Sequence, residues 1–225
     1  MSPDGIQRLI FNGDGSVHRA DGGDKKRGVT YCQFMIAPQP GTPVEKGTVI
    51  IFHGAVLGYK LEPLPDYVPQ AALHLLPGAG TEGEPYWQNA QATISLRTQE
   101  DHLGYQSIVI RYDHHAETWD LYLNGTMVRA DLPAYAKMKV DGFALFPGSQ
   151  GVVNVMGDVK ITKDNPLFAD ANTNGIPDDF EKSLQLNPAQ VNHRSKTLPG
   201  RPETLLSAYQ LSLRVRIPTH AFPTP

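Results

Sequence analysis

The fold is decided by the stretch Thr118-Trp-Asp-Leu-Tyr-Leu-Asn-Gly-Thr-Met-Val-Arg-Ala-Asp-Leu132, which predicts two strands joined by a two-residue turn. Asn-Gly is the strongest short hairpin signal, because a type I′ turn needs positive φ at both central residues. If Leu123 pairs with Thr126, the apolar residues of both strands fall on one face. The pairs expected are Leu121 with Val128 and Trp119 with Ala130. The stretch therefore predicts an antiparallel hairpin with one apolar side.

A second hairpin precedes the first. Ile108, Ile110 and Tyr112 alternate along one strand face, and a loop from Asp113 to Thr118 places Tyr112 opposite Trp119. Two successive hairpins make a meander whose apolar side needs a second sheet to cover it.

Alternating or continuous apolar runs elsewhere bring the total to about eleven strands before residue 163. The 21 Gly and 19 Pro are typical of short strands joined by turns. Residues 61–69 hold three prolines, so we predict that they are not part of a central strand. The expected class is all-β, a two-sheet antiparallel β-sandwich.

Three segments of this region resemble the concanavalin A-like jelly-roll superfamily, especially its laminin-G-like branch. They are Tyr105-Gln-Ser-Ile-Val-Ile-Arg-Tyr-Asp113, Glu117-Thr-Trp-Asp-Leu-Tyr-Leu-Asn-Gly125 and Gly157-Asp-Val-Lys-Ile-Thr162. The resemblance spans residues 5–163. It implies a sandwich and no particular ligand, because function lies in sites placed on a fold.

The segment Asp170-Ala-Asn-Thr-Asn-Gly-Ile-Pro-Asp-Asp-Phe-Glu181 fits the calcium-loop pattern D-x-[DN]-x-[DN]-G-x5-E. Calcium takes six to eight oxygen ligands, and Gly175 stands where the loop turns sharply. The predicted Ca²⁺ ligands are Asp170, Asn172, Asn174, the carbonyl of Ile176, Asp178 and Glu181. The alternative is a solvated loop, since Asn, Asp and Gly also favour ordinary turns.

The flanks of this loop differ from those of an EF-hand. Asn165-Pro166 disfavours an entering helix, whereas Pro177 and the acidic residues after it favour an exiting one. This half-motif resembles the EF-hand-like calcium loops of thrombospondin type 3 repeats, dockerins and bacterial surface proteins, in a single copy. We assign residues 164–188 to the loop and helix. With two amide ligands, the expected calcium affinity is at the weak, extracellular end of the range.

The C-terminal part has weaker patterns. Residues 189–217 are assigned to an extension packing on the sandwich, in which a short helix from Thr204 runs into a strand ending at Ile217. Residues 218–225 are expected to form a disordered tail.

Composition excludes several classes of protein. A net charge of -3 and a pI near 6.2 leave no electrostatic footprint for nucleic acid. No apolar run is long enough to predict membrane insertion. Cys32, the single cysteine, is expected to be a buried, inert thiol. Residues 1–5 lack the features of a signal peptide, so an extracellular or cell-surface location implies a leader that was removed or a longer parent protein.

Catalysis by a pair of carboxylates is not predicted. A retaining glycosidase needs two carboxyl groups about 5 Å apart, which strands supply at i and i+2. Glu117 and Asp120 are expected on opposite faces, and Glu82 and Glu84 fall in a Gly/Pro loop. His114-His115 is interpreted as a solvated loop rather than a metal site.

Binding is the better-supported class. Tyr86 and Trp87 lie in a Glu/Gly/Pro loop, where exposed aromatic rings can stack on a sugar, although Trp87 could instead close the end of the sandwich. We therefore expect a non-catalytic binding or adhesion module that recognises a glycan or a surface protein, with structural calcium. The alternatives are a polysaccharide hydrolase or lyase and a structural spacer.

Overall fold

The structure is a computed structural model of the chain. It describes residues 8–11, 17–19, 28–37, 47–64, 67–75, 92–95, 106–135, 139–147, 153–190 and 194–216. The chain divides into two compact units, residues 1–163 and residues 164–225.

The first unit contains two six-stranded sheets. Its strands are β1 (Arg8–Phe11), β2 (Val17–Arg19), β3 (Val29–Ala37), β4 (Gly47–Phe52), β5 (Ala55–Leu64), β6 (Tyr67–Leu75), β7 (Ala92–Ser95), β8 (Gln106–Asp113), β9 (Thr118–Leu123), β10 (Thr126–Pro133), β11 (Phe143–Pro147) and β12 (Val153–Thr162). One sheet has the order β1-β12-β3-β8-β9-β10, the other β2-β11-β4-β5-β6-β7, and every strand pair in both is antiparallel. The predicted all-β, two-sheet sandwich is confirmed.

An apolar core lies between the sheets. Strand β3 places alternate residues in it, and strands β4, β5, β8, β9 and β11 do the same. Its fully buried members include Cys32, Phe34, Ile36, Ile50, Phe52, Leu57, Leu73, Ile108, Ile110 and Leu121. Cys32 is a free, buried thiol. This burial of alternate residues is what fixes the strand registers.

The outer face of the second sheet is covered in part by the connection between β10 and β11. Tyr135 and Val140 pack against a smaller apolar cluster of Ile51, Val56 and Ala144. The connection is tied down by main-chain bonds from Tyr135 N to the carbonyl of Gly54 and from Val140 N to the carbonyl of His53.

The hairpin at the centre of the prediction forms, with one difference. Asn124 and Gly125 have φ of 49° and 80°, Leu123 pairs with Thr126, and the predicted partner of Trp119 in β8, Tyr112, is confirmed. In β10, however, Arg129 faces Leu121 and Leu132 faces Trp119, so the predicted partners Val128 and Ala130 are wrong.

Two register shifts in β10 cause this difference. Asp131 has φ of 52°, and its main-chain N–H donates to the buried carboxylate of Asp120 at 2.9 Å. A side chain here takes the place of a strand partner, which is typical of a β-bulge.

The prediction for residues 61–69 is also corrected. The described residues of this segment, 61–64 and 67–69, belong to β5 and β6, which pair with each other from Leu57 to Leu75. Their outer neighbours stop earlier, because β4 pairs with β5 only as far as Lys60 and β7 pairs with β6 only from Ala72. Pro63 and Pro69 therefore lie where β5 and β6 pair only with each other among the described residues, so fewer main-chain donors are required.

The second unit contains two helices, α1 (Asp178–Ser183) and α2 (Leu205–Arg216). Helix α1 follows Pro177 as predicted, and no helix precedes the loop in the described residues 164–177. The strand predicted to end at Ile217 is wrong, because residues 205–216 are helical. Leu211 is 60% exposed, so this residue does not lie on a buried face. The predicted tail 218–225 lies outside the described residues.

Candidate metal centre

The loop from Asp170 to Glu181 is held in shape by its own polar side chains. The carboxylate of Asp170 accepts the main-chain N–H groups of Asn174 at 3.0 Å and Gly175 at 2.8 Å. Asp178 accepts the N–H of Ala171 at 2.9 Å, and thereby joins the end of the loop to its beginning. Both carboxylates thus fix the backbone of the loop through hydrogen bonds within the protein.

Positive φ angles provide the sharp turn. Gly175 has φ of 80°, a conformation that glycine adopts without steric cost. Thr173 has φ of 56°, which is unfavourable for a β-branched residue, and its N–H donates to the carbonyl of Asp170 at 3.1 Å. Backbone strain of this kind persists where the surrounding bonds over-determine the conformation.

Glu181 is the centre of the site. Its side chain is fully buried on the first turn of α1, and its carboxylate accepts the amide Nδ2 of Asn174 at 2.9 Å and that of Asn172 at 3.2 and 3.3 Å. Burial raises the pKa of Glu181. The hydrogen bonds from the Asn172 and Asn174 side chains lower this pKa, and the charges of Asp170 and Asp178 raise it. A buried carboxylate near two others is an environment that favours a cation.

The donor set fits a hard cation only if amides take part. Within the described residues, no three His, Cys, Asp or Glu side chains stand close enough to hold a metal ion by themselves. Asn172 and Asn174 direct amide nitrogen toward Glu181, while their amide oxygens accept the main-chain N–H groups of Asn174 and Ile176 respectively. Oxygen from carboxylates, amides and carbonyls is what calcium prefers, so the chemistry of the loop fits that ion.

The structure brings together five of the six predicted ligands in one network of hydrogen bonds or charges: Asp170, Asn172, Asn174, Asp178 and Glu181. Ile176 anchors the loop through its fully buried side chain and donates its N–H to Asn174 Oδ1 at 2.7 Å. The role of its carbonyl stays a prediction.

Sequence reasoning missed Arg194. Its side chain is 9% exposed, and its Nη1 donates to the main-chain carbonyl of Asn174 at 2.6 Å. It stands twenty residues from its partner. No spacing rule within the loop pattern points to it.

The predicted aromatic pair, Tyr86 and Trp87, lies outside the described residues, as do Glu82 and Glu84. Glu117 and Asp120 are engaged separately. Exposed Glu117 pairs with Lys139, while buried Asp120 accepts Arg111 Nη1 at 3.2 Å.

His114 differs from the prediction of a solvated loop. His115 is exposed, but His114 is half-buried, bonds Thr30 Oγ1 through its Nε2 at 2.9 Å, and has its ring centroid 4.5 Å from that of His53. His53 is buried at φ 52° beside Phe52 and Tyr112. These rings form an aromatic cluster at one strand end.

No family model and no curated protein matches the sequence. Similar solved structures include the catalytic domain of a glycoside hydrolase family 131 protein from Coprinopsis cinerea, at 14% identity and a TM-score of 0.40 over 64% of this chain and 60% of that chain. A tetrameric galectin from the ball sponge Cinachyrella sp. is 12% identical, with a TM-score of 0.34 over 66% of this chain and 96% of that chain. A heptameric SAP-like pentraxin from Limulus polyphemus is 10% identical, with a TM-score of 0.34 over 72% of each chain. No ligand or reaction follows for this chain from likenesses at these identities and TM-scores.

The part of the chain that the structure describes contains no helix of the length and apolarity needed to cross a bilayer.

Proposed function

We propose that residues 164–216 form a calcium-binding unit in which the ion is structural. The observation that carries this proposal is the fully buried carboxylate of Glu181, which accepts hydrogen bonds from the side-chain amides of Asn172 and Asn174. A buried carboxylate of this kind is costly unless it is compensated. In the proposed state, Asp170, Asn172, Asn174, Asp178, Glu181 and the carbonyl of Ile176 hold Ca²⁺.

Bound calcium supplies positive charge among these oxygens and performs no reaction. Glu181 then anchors the first turn of α1 to the loop, and Asp170 keeps the turn at Gly175 closed. Because two of the ligands are amides, the expected dissociation constant is on the order of 10⁻⁴ to 10⁻³ M, which suits an extracellular calcium concentration.

For the chain as a whole, we propose a non-catalytic binding or adhesion module of a secreted or cell-surface protein, with a concanavalin A-like, laminin-G-like sandwich. Its ligand is a glycan or a surface protein, bound at the loop that holds Tyr86 and Trp87. Two observations support a role without catalysis: Asp120 is buried against Arg111, and Glu117 is paired with Lys139, so these acids do not form a catalytic pair.

Calcium titration by isothermal calorimetry tests the calcium proposal. The wild-type chain is expected to bind one calcium ion, and calcium at a hundredfold excess over Kd is expected to stabilise the second unit by about 2.7 kcal/mol. Glu181→Gln keeps the size of the side chain but removes its charge, and is expected to weaken calcium binding at least tenfold.

Asp179→Asn is the matched control. Asp179 lies on the same helical turn, but its side chain is 95% exposed, and the variant should bind calcium within about twofold of wild type. Equal loss of affinity in both variants, or no heat of binding in the wild-type chain, would refute the calcium proposal.

A further inference from the structure

Arg194 connects the calcium loop to helix α2 through two different groups. Its side chain donates to the carbonyl of Asn174, the residue at the fifth loop position, at 2.6 Å. Its own carbonyl accepts the main-chain N–H of Leu206, on the first turn of α2, at 3.1 Å. One residue therefore bonds the loop with its guanidinium and the helix with its backbone.

The guanidinium bond is of the strong kind. It joins a charged donor to a carbonyl in a buried position, where a charge-assisted hydrogen bond is stronger than a neutral one. Arginine offers five donors in a rigid plane, so a side chain with one bond to Asn174 can make further bonds without changing its orientation. Displacement of the Asn174 backbone would break this bond in a place that water reaches poorly.

Other contacts link the loop and α1 to the segment around Arg194 and to α2. Asn172, at the third loop position, donates to the carbonyl of Gln190 at 3.2 Å. The ring of Phe180 in α1 lies 5.2 Å from that of Tyr209 in α2, centroid to centroid. The N–H of Leu205 donates to the carbonyl of Lys196 at 3.2 Å, next to the Arg194 to Leu206 bond. The start of α2 is thus bonded to the segment that carries Arg194.

The position of Asn174 explains how an ion could act on the helix. Its side chain is a proposed calcium ligand, and its carbonyl is the acceptor for Arg194. Fixing the side chain on an ion restricts the backbone of the same residue, and therefore the carbonyl on which Arg194 depends.

We propose that Arg194 couples occupation of the calcium loop to helix α2, so that calcium binding orders residues 205–216. This inference rests on the proposed calcium site and adds a regulated element to it. Coupling is reciprocal, so a well-formed α2 also strengthens calcium binding.

Amide hydrogen exchange on the full chain, with saturating calcium and with chelator, tests the coupling. In the wild-type chain, calcium is expected to slow exchange at least tenfold both in the loop, residues 170–181, and in α2. In Arg194→Met, calcium should still protect the loop from hydrogen exchange, while the gain in protection of α2 should fall to less than threefold. Arg194→Lys keeps the charge and a donor, and should recover part of that gain.

Arg201→Met is the control, because Arg201 belongs to the same unit but its side chain is 56% exposed. It should keep the wild-type gain in α2. A loop that is protected by calcium in wild type while α2 does not respond would overturn the coupling and leave the calcium site standing.

An Arg194→Met variant with an undiminished gain in α2 would also overturn the coupling. If Arg194→Met fails to fold, the coupling is judged from the response of α2 to calcium in the wild-type chain and in Arg194→Lys. A wild-type loop that does not respond to calcium would instead refute the calcium site itself.

Discussion

Burial raises the pKa of both the Glu181 carboxyl and the Tyr112 hydroxyl, but the neighbours of the two groups differ. Glu181 is surrounded by amides and by the carboxylates of Asp170 and Asp178, which are groups that can bind a cation. Tyr112 lies 3% exposed against the rings of Phe52, His53 and His114. The same physical effect therefore marks a candidate ion site at one residue and a packing position at the other.

Tyr112 leads to a prediction at high pH. Burial, and then the charges of Glu117 and Asp113, raise its pKa to about 12, so the folded state holds the hydroxyl proton more tightly than the unfolded state does. Stability from this group is complete below pH 10 and is lost as the pH rises through 12, with a slope of at most about 1.4 kcal/mol per pH unit. Urea unfolding between pH 8 and 12 should show a smaller loss of stability in Tyr112→Phe than in wild type.

Tyr135→Phe is the control for this experiment, because Tyr135 is only partly buried in the smaller apolar cluster. Its pH dependence should match that of the wild-type chain. A Tyr112→Phe variant that lost as much stability as wild type above pH 10 would contradict the assigned role of burial.

At the scale of elements, local signals were predictable and long-range ones were not. The turns at Asn124-Gly125 and at Gly175 depend on residues within a few positions of one another, and such patterns can be read from a sequence. The bulge at Asp131 depends on the carboxylate of Asp120, eleven residues away. The bond from Arg194 to Asn174 spans twenty residues and has no periodic signature.

The C-terminal helix shows a different reason for failure. An apolar residue at every second position predicted a strand, but such a pattern is informative only if those residues are buried on one face. Among the side chains of α2 that the structure describes, residues 205–214, the buried ones are Leu205 and Tyr209, which are four apart, while Leu211 is exposed. The sequence therefore contains apolar residues at helical spacing, but the strand prediction gave more weight to those at every second position.

The hairpin turn gives a prediction for the first unit. Gly125 has φ of 80° and nothing within 4 Å of an added Cβ, so Gly125→Ala tests backbone strain alone. We expect it to destabilise the unit by about 1 kcal/mol, because an L-residue in this region is disfavoured. Both tryptophans, Trp87 and Trp119, belong to residues 1–163, so urea unfolding followed by tryptophan fluorescence reports on this unit.

Gly28→Ala is the matched control for the hairpin. Gly28 also has open space around an added Cβ, but its φ is not in the left-handed region. Alanine there should be neutral or stabilising by up to about 1 kcal/mol, since it restricts the unfolded chain. Equal effects of the two substitutions would show that the turn conformation is not what makes Gly125 necessary.

At the scale of the whole molecule, the first unit is characterised by its apolar core, whereas the second contains a candidate ion site. The sandwich is a scaffold whose buried residues explain its stability. The second unit has a site whose donor chemistry fits an ion and whose proposed role is structural. The proposed ligand binding and the proposed calcium binding are assigned to different units, and a single experiment can compare them.

A glycan and polysaccharide array, probed with the full chain in millimolar calcium and again in chelator, makes that comparison. We expect binding to a defined sugar that changes less than about threefold on chelation, because a structural ion stabilises its own unit without contacting the sugar. Trp87→Ala should abolish this binding and leave the urea midpoint unchanged, whereas Glu181→Gln should keep the binding.

Binding that disappears in chelator would make the ion part of the recognition site. A Trp87→Ala chain that loses stability rather than affinity would favour the spacer alternative, and turnover of the bound polysaccharide would favour the hydrolase or lyase.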